Sequence, residues 1–166
     1  MRAHATGYAE PVPPKSRPAV SAWAALLQVH AKLVPELDAE LRRATGLPLS
    51  WYDVLLELDA PQQLRMSDLG ERVVLSRTRV SRLVTELESH GLVRRESNPD
   101  DGRSAFVSIT DRGRERFHEA APHYLAGIER RFGERLDDAE LETVAAALRK
   151  VLTPAALPEP GQTPTR

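Results

Sequence analysis

The sequence has no cysteine in its 166 residues. That excludes a disulfide framework, a thiolate nucleophile, a thiol redox switch and any zinc or iron–sulfur site built on Cys ligands. It also lacks any run near the roughly 18 consecutive apolar residues of a membrane helix. The opening segment, through Pro18, has no apolar core of the kind a signal peptide needs, so a soluble, cytoplasmic protein with no membrane partner is expected. There is no glycine-rich phosphate loop and no G-x-S-x-G turn, and the carboxylates fall at helix caps and exposed faces. No enzyme is expected. Charge of one sign is missing too, since 23 basic residues meet 24 acidic ones for a net −1. A histone-like polybasic protein is excluded. A nucleic-acid binder is not, because binding needs a local basic face rather than a basic total. The five histidines, His4, His30, His90, His118 and His123, form no i, i+4 pair, and Glu119 with His123 offers only one possible acid–histidine pair. Neither a metal nor a cofactor is expected.

What is present is a globular composition, 41% hydrophobic, with prolines at its ends. Eight of the thirteen prolines lie up to Pro18 or from Pro154 onward. Residues 1–18 and 153–166 therefore read as disordered tails around a folded body of 19–152. Within the body the period is helical almost throughout. Trp23, Leu26, Leu27, His30, Leu33, Val34, Leu37, Leu41 and Ala44 mark one long helix that Pro35 should kink and Gly46 should end. Ser50 and Asp53 read as a capping box for a second helix, running to about Leu58, with Leu49 stapled to Val54. Ser67 reads as the cap of a short third helix with Leu69 and Val73 inward. The fourth helix has Ser76 as its N-cap, the stripe Val80, Leu83, Val84 and Leu87, and Gly91 at the left-handed position that ends it. The period then changes to two. Leu92–Ser97, a turn at 98–102, and Ser104–Thr110 form a hairpin. Thr110 caps a helix with Phe117, Ala121, Tyr124, Leu125 and Ile128 inward. Asp137 and Glu140 box a last one with the stripe Leu141, Val144, Ala145, Leu148, Val151 and Leu152. The expected class is mainly α with a small β-hairpin, in the order α-α-α-α-β-β-α-α.

A short helix, a tight turn and a capped helix make a helix-turn-helix, and the hairpin that follows makes it winged. Residues 72–82 hold Arg72, Arg77, Arg79 and Arg82 and no acid, with Ser76, Thr78 and Ser81 beside them. A helix that presents its N-terminal turns to a major groove needs such forks and hydroxyls for base edges and phosphates. Ser76, Arg77, Thr78, Arg79, Ser81 and Arg82 are the candidate contacts to double-stranded DNA, with Arg77 or Arg79 as the base reader. The competing reading is a solvated face on which Arg82 pairs with Glu86.

The stretch Leu75-Ser-Arg-Thr-Arg-Val-Ser-Arg-Leu-Val-Thr-Glu-Leu-Glu-Ser-His-Gly-Leu-Val-Arg-Arg95, with Asn98-Pro-Asp-Asp-Gly-Arg-Ser104 and Val107-Ser-Ile-Thr-Asp-Arg-Gly113 after it, resembles the MarR family of bacterial transcription regulators. The resemblance covers nearly the whole body by element order and length. It implies a winged helix-turn-helix over 48–110 and a helical dimerisation region over 19–47 and 111–152. It implies a homodimeric regulator, expected to be a repressor, on a pseudo-palindromic operator. It implies that Arg103 enters the minor groove with Asp101 holding it, and that a small aromatic or phenolic ligand releases the DNA. Family effector pockets lie between the first, second and fifth helices, where His30, Trp51 and Tyr52 could meet. From the residues alone, His30 reads as a core histidine, and Trp51 and Tyr52 as packing at a helix start. A different-class alternative is a winged-helix module that binds protein, which has no need of an arginine-rich, acid-free helix start.

Overall fold

The computed structural model describes residues 17–60, 63–73, 77–97 and 105–152, Arg77 by its backbone only. The first helix, α1, spans Arg17–Thr45. It starts inside the expected tail, because Pro18 fits a first helical turn, where its missing N–H leaves no bond unmade. The rest of both expected tails lies outside the described residues. The helix passes through Pro35 and stops where Gly46 takes a φ of 74°. Leu37 and Leu41 are buried, but the stripe ahead of them is not. Trp23 is 60% exposed, Leu26, Leu27 and Val34 are exposed, and His30, expected in the core, is exposed as well. Periodicity identifies an apolar face but not what covers it.

The second helix, α2, covers Leu49–Leu58 and starts one residue before the expected cap. Ser50 and Asp53 make no box there. The N-cap is Pro48, and the Leu49 N–H donates instead to Oδ1 of Asp38 on α1, at 2.8 Å. The other Asp38 oxygen accepts from Arg42 at 2.8 Å. A carboxylate at a helix start satisfies an orphan donor and the helix dipole together. A two-residue strand, β1 (Leu64–Arg65), then leads into α3 (Met66–Arg72). This strand is absent from the expected order, since two residues carry no readable alternation. Arg65, extended at φ −68° and ψ 148°, is the N-cap of α3, and the Ser67 hydroxyl turns to Asp68 rather than capping. Leu69 and Gly70 are buried beneath the helix that follows, and Val73 is half-buried.

That helix, α4, spans Arg77–Ser89. The expected cap Ser76 and the staple residue Leu75 lie outside the described residues. Val80, Leu83, Val84 and Leu87 are all buried, and such withdrawal is worth about 1.5–3 kcal/mol for each side chain. The helix ends as its sequence specifies. Gly91 has φ 68°, its N–H bonds to Glu88 O at 2.9 Å, and the Leu92 N–H bonds to Leu87 O at 2.9 Å. That is a Schellman closure with a buried Leu92 folded back beneath it.

Two longer strands follow, β2 (Val93–Ser97) and β3 (Ala105–Ile109). They pair antiparallel from Val93↔Ile109 to Ser97↔Ala105, and Leu64 pairs with Val107 on the far side. The sheet order is β1-β3-β2, so Val107 on the central strand is fully buried. The turn between β2 and β3, with Asp101 and Arg103, lies outside the described residues. Helix α5 (Asp111–Arg131) is capped as expected, the Gly113 N–H donating to Thr110 Oγ1 at 3.0 Å. Gly113 has no room for a side chain: a Cβ there would overlap the Leu92 carbonyl oxygen and stand 2.9 Å from Ile109 Cγ1. Gly113, Phe117 and Ala120 are buried and Tyr124 is half-buried. Leu125, expected inward, is 60% exposed, because it falls about 100° around the helix from Tyr124 and off that line.

The described residues divide into two compact units that meet in sequence between Leu125 and Ala126. The second holds a 3₁₀ turn, Gly133–Arg135, and the last helix, α6 (Asp138–Leu152). Its capping box is reciprocal: Glu140 N–H donates to Asp137 Oδ1 at 2.8 Å and Asp137 N–H to Glu140 Oε2 at 3.0 Å. Leu141, Val144 and Ala145 are half-buried, Leu148 is exposed, and Val151 and Leu152 are more than four-fifths exposed.

Candidate nucleic-acid interface

Helices α3 and α4 form the helix-turn-helix, and the apolar stripe of α4 decides which of its residues face out. With Val80, Leu83, Val84 and Leu87 turned inward, Thr78, Arg79, Ser81, Arg82, Thr85 and Glu86 are left exposed on the opposite side. Four of the six expected contacts, Thr78, Arg79, Ser81 and Arg82, thus share one open face. Ser76 and the Arg77 side chain lie outside the described residues, as do Asp101 and Arg103 at the hairpin turn.

The competing pairing of Arg82 with Glu86 is not made. Among the described residues Arg82 has no ion-pair partner, and Glu86 instead accepts from the Trp51 indole N–H at 3.4 Å. Arg72, counted in the basic run, sits 3.8 Å from Glu57 of α2 and is partly neutralised. The positive charge of this face therefore comes from the first turns of α4.

Two contacts fix the C-terminal end of α4, and neither was read from the sequence. On one side Trp51 of α2 stacks edge-on against His90, ring centroids 4.7 Å apart. His90 Nδ1 lies 2.8 Å from Glu86 O, so this histidine closes the helix end. On the other side Arg95 of β2 binds back to the helix. Its Nε and Nη2 donate to Glu88 Oε2 at 2.8 and 2.6 Å, its backbone N–H to Glu88 Oε1 at 3.2 Å, and its Nη2 also to Thr85 Oγ1 at 3.0 Å. These hydrogen bonds from Arg95, offset by a small desolvation cost, hold the Glu88 carboxyl below its ordinary pKa. The only sequence signal was an acid and a base on either side of the Gly91 reversal, too loose a pattern to single out.

The three residues expected at an effector pocket separate. His30 is exposed on α1. Trp51 faces the end of α4. Tyr52, the next residue, turns the other way and is buried against Phe117 and Tyr124 of α5, at centroid distances of 5.0 and 4.8 Å. Adjacent helical positions point about 100° apart, which separates the two rings. Asp53 stands beside this aromatic group. Burial, and secondarily the charge of Glu57, push its carboxyl up to about 6. Burial and then the Asp53 charge raise both tyrosines. Below them, Arg114 and His118 of α5 both reach Asp59 at the C-cap of α2. Among the described residues no three His, Asp or Glu side chains converge as a metal site would require, and no helix is long and apolar enough to cross a membrane.

The same geometry recurs in known proteins. A family model described as MarR family matches residues 45–104. Sco3205, a MarR family transcriptional regulator from Streptomyces coelicolor solved in complex with DNA, is 30% identical, with 84% of this chain and 94% of that one covered at a TM-score of 0.75. This chain belongs to the MarR family. AbsC, another MarR family regulator from Streptomyces coelicolor, is 29% identical over 87% of this chain and 96% of its own, with a TM-score of 0.74. An uncharacterized HTH-type transcriptional regulator of Bacillus cereus is 28% identical over 116 residues, 70% of this chain and 77% of that protein. The chain is a MarR-family transcriptional regulator, and its relatives are regulators rather than enzymes.

Proposed function

We propose that this MarR-family chain is a cytoplasmic, homodimeric repressor that binds a pseudo-palindromic operator in double-stranded DNA. The observation that carries the reading is the open face of α4, where Thr78, Arg79, Ser81 and Arg82 stand together with no acid before Glu86. Hydroxyls and guanidinium forks on the first turns of a second helix are the groups that read a major groove. Ser76 and Arg77 extend this face in sequence, and Arg103, steadied by Asp101, is the minor-groove contact. The related Sco3205, solved with DNA, supports the same partner. A protein-binding winged helix would not need this arginine-rich start.

Dimerisation is proposed through the terminal helices. Trp23, Leu26 and Leu27 on α1, and Leu148, Val151 and Leu152 on α6, leave large apolar side chains in water in a single chain. Large apolar side chains left exposed on each of these helices are read as the surface that a second copy covers. A two-fold dimer would set two recognition helices about 34–36 Å apart, one turn of DNA, on a pseudo-palindrome. Release by a small aromatic or phenolic effector is proposed at the cluster of Tyr52, Phe117 and Tyr124. Of the three residues first expected there, Tyr52 is the one that belongs to this cluster, while Trp51 and His30 would respond only through movement of their helices.

The test is fluorescence anisotropy of the full chain on its own upstream DNA, with and without a panel of phenols. Tight binding that weakens steeply with salt, discriminates against scrambled DNA and is relieved by a phenol supports the proposal. Equal affinity for all sequences would refute the operator, and no affinity at all would refute the DNA partner.

A further inference from the structure

The interlock between Arg95 and the end of α4 does more than tie two elements together. In the order β1-β3-β2, β2 is an edge strand, hydrogen-bonded to β3 on one side only. The Arg95 N–H points away from β3 and would be an open edge donor. Glu88 takes it, and the same carboxylate takes the Arg95 Nε and Nη2. Nη2 reaches on to Thr85 Oγ1, whose own hydrogen goes to Ser81 O at 2.8 Å. One arginine thus joins the edge of the hairpin to two successive turns of α4. Ser81 and Thr85 lie on the exposed face of that helix, the face proposed to read DNA.

The bonds sit at the point that controls direction. Between Glu88 and Arg95 the chain reverses through Gly91 and Leu92, and the Schellman closure fixes the reversal but not the angle at which β2 leaves it. Beyond Arg95, β2 runs to Ser97, and residues 98–104, Asp101 and Arg103 among them, follow it in sequence before β3. A planar guanidinium held through two of its nitrogens and its own backbone N–H sets orientation, not only distance. The other contact at this end of α4, Trp51 on His90, comes from α2 and leaves the hairpin untouched.

We propose that Arg95 and Glu88 form a latch that aims the hairpin relative to the recognition helix, making both positioning residues for DNA binding rather than DNA contacts. The inference rests on the DNA-binding reading above. If it holds, opening the latch lets the hairpin swing, and Arg103 loses its groove while α4 keeps its own contacts.

Four single variants of the full chain, Glu88→Gln, Glu88→Ala, Arg95→Lys and Arg95→Ala, are compared with Arg103→Ala and with the doubles that add Arg103→Ala to each alanine variant. Anisotropy on operator DNA across salt, thermal melting, and amide hydrogen exchange of the free protein are read for all. Glu88→Ala, which removes no positive charge, should weaken operator binding roughly tenfold and lower the salt slope by about one contact per subunit. Arg103→Ala should then cost little more, because the contact is already lost, which is a strongly non-additive cycle. Arg95→Lys keeps the charge but not the fork and should fall between the parent and Arg95→Ala. Glu88→Gln keeps an acceptor and should be milder than Glu88→Ala, so a folding defect in the alanine variant does not decide the matter. Without DNA, exchange across 95–104 should rise in both alanine variants while exchange in α4 stays protected. The latch is overturned if Glu88→Ala binds like the parent while Arg95→Ala does not, since Arg95 would then touch phosphate itself. It is also overturned if the cycles are additive, or if exchange is unchanged. A parent that binds no DNA refutes the function proposed above instead, and the exchange data still decide whether the latch holds the hairpin.

Discussion

Asp53 is a carboxylate whose ionised form works against the fold, and neutralising it should stabilise the protein in a pH-dependent way. Burial beside Tyr52 and Tyr124, with Glu57 one turn on, raises its pKa from the ordinary 3.8 to about 6. The direction of linkage follows from proton counts. Between those two values the folded state holds a proton that the unfolded state has released, so stability falls as pH rises through that window. Below it both states are protonated and nothing is lost. Above it the full penalty stands. A displacement of this size corresponds to at most about 3 kcal/mol. Asp53 is only partly enclosed, and solvent screening reduces the realised penalty to about 1 kcal/mol. Asp53→Asn removes the charge at nearly constant shape and breaks no hydrogen bond or ion pair that Asp53 makes among the described residues. The variant should melt roughly 2–4 °C above the parent at neutral pH, with protomer concentration held constant. The gain should shrink toward zero as pH falls to about 4. Calorimetric scans of both proteins between about pH 4 and pH 8 provide the check. A melting difference independent of pH, or a variant less stable than the parent at neutral pH, would refute the reasoning.

Other substitutions address other parts of the argument. Gly113→Ala should destabilise by about 1–3 kcal/mol or more in denaturant titrations, because the new methyl meets the fixed Leu92 carbonyl rather than a yielding side chain. Arg82→Ala should weaken operator binding by about 1–3 kcal/mol without lowering the melting temperature, since Arg82 has no ion pair to lose among the described residues. Arg103→Ala should do likewise and reduce the salt slope by about one contact per subunit, read by anisotropy across salt. Trp23→Glu with Leu27→Glu should convert a sedimenting dimer to monomer, and a dimer that persists would move the interface away from α1.

Much of the fold was legible because it is written in local rules. The stripe Val80, Leu83, Val84 and Leu87, the Gly91 closure, the Thr110 cap and the Asp137–Glu140 box each depend on residues within one or two turns of each other, and each appears where its spacing places it. The candidate DNA face was legible for the same reason: once the stripe is assigned, the opposite side of the helix follows from a 3.6-residue period. Failures arose where the partner is distant in sequence. Ser50 and Asp53 look like a capping box, yet Asp38, eleven residues before Leu49, supplies the cap. Trp51 and Tyr52 pack as their place at a helix start suggests, yet they part to distant partners that the resemblance did not indicate, Trp51 to His90 and Tyr52 to Phe117 and Tyr124.

By itself, then, the sequence determined the helices, the C-terminal end of α4, the caps of α5 and α6, the hairpin and the side of α4 that carries hydroxyls and arginines, because all of these follow from short spacings and backbone preferences. Only the tertiary structure decided that β1 completes the sheet, that Asp38 rather than Asp53 receives the first N–H of α2, and that Arg95 reaches back to Glu88 and Thr85. Those outcomes depend on which surfaces are brought within about 3 Å of each other, and one bond at that range is worth only about 1 kcal/mol. Such energies are too small to shape a sequence pattern, yet they are enough to choose among the partners that the packed core has already brought together.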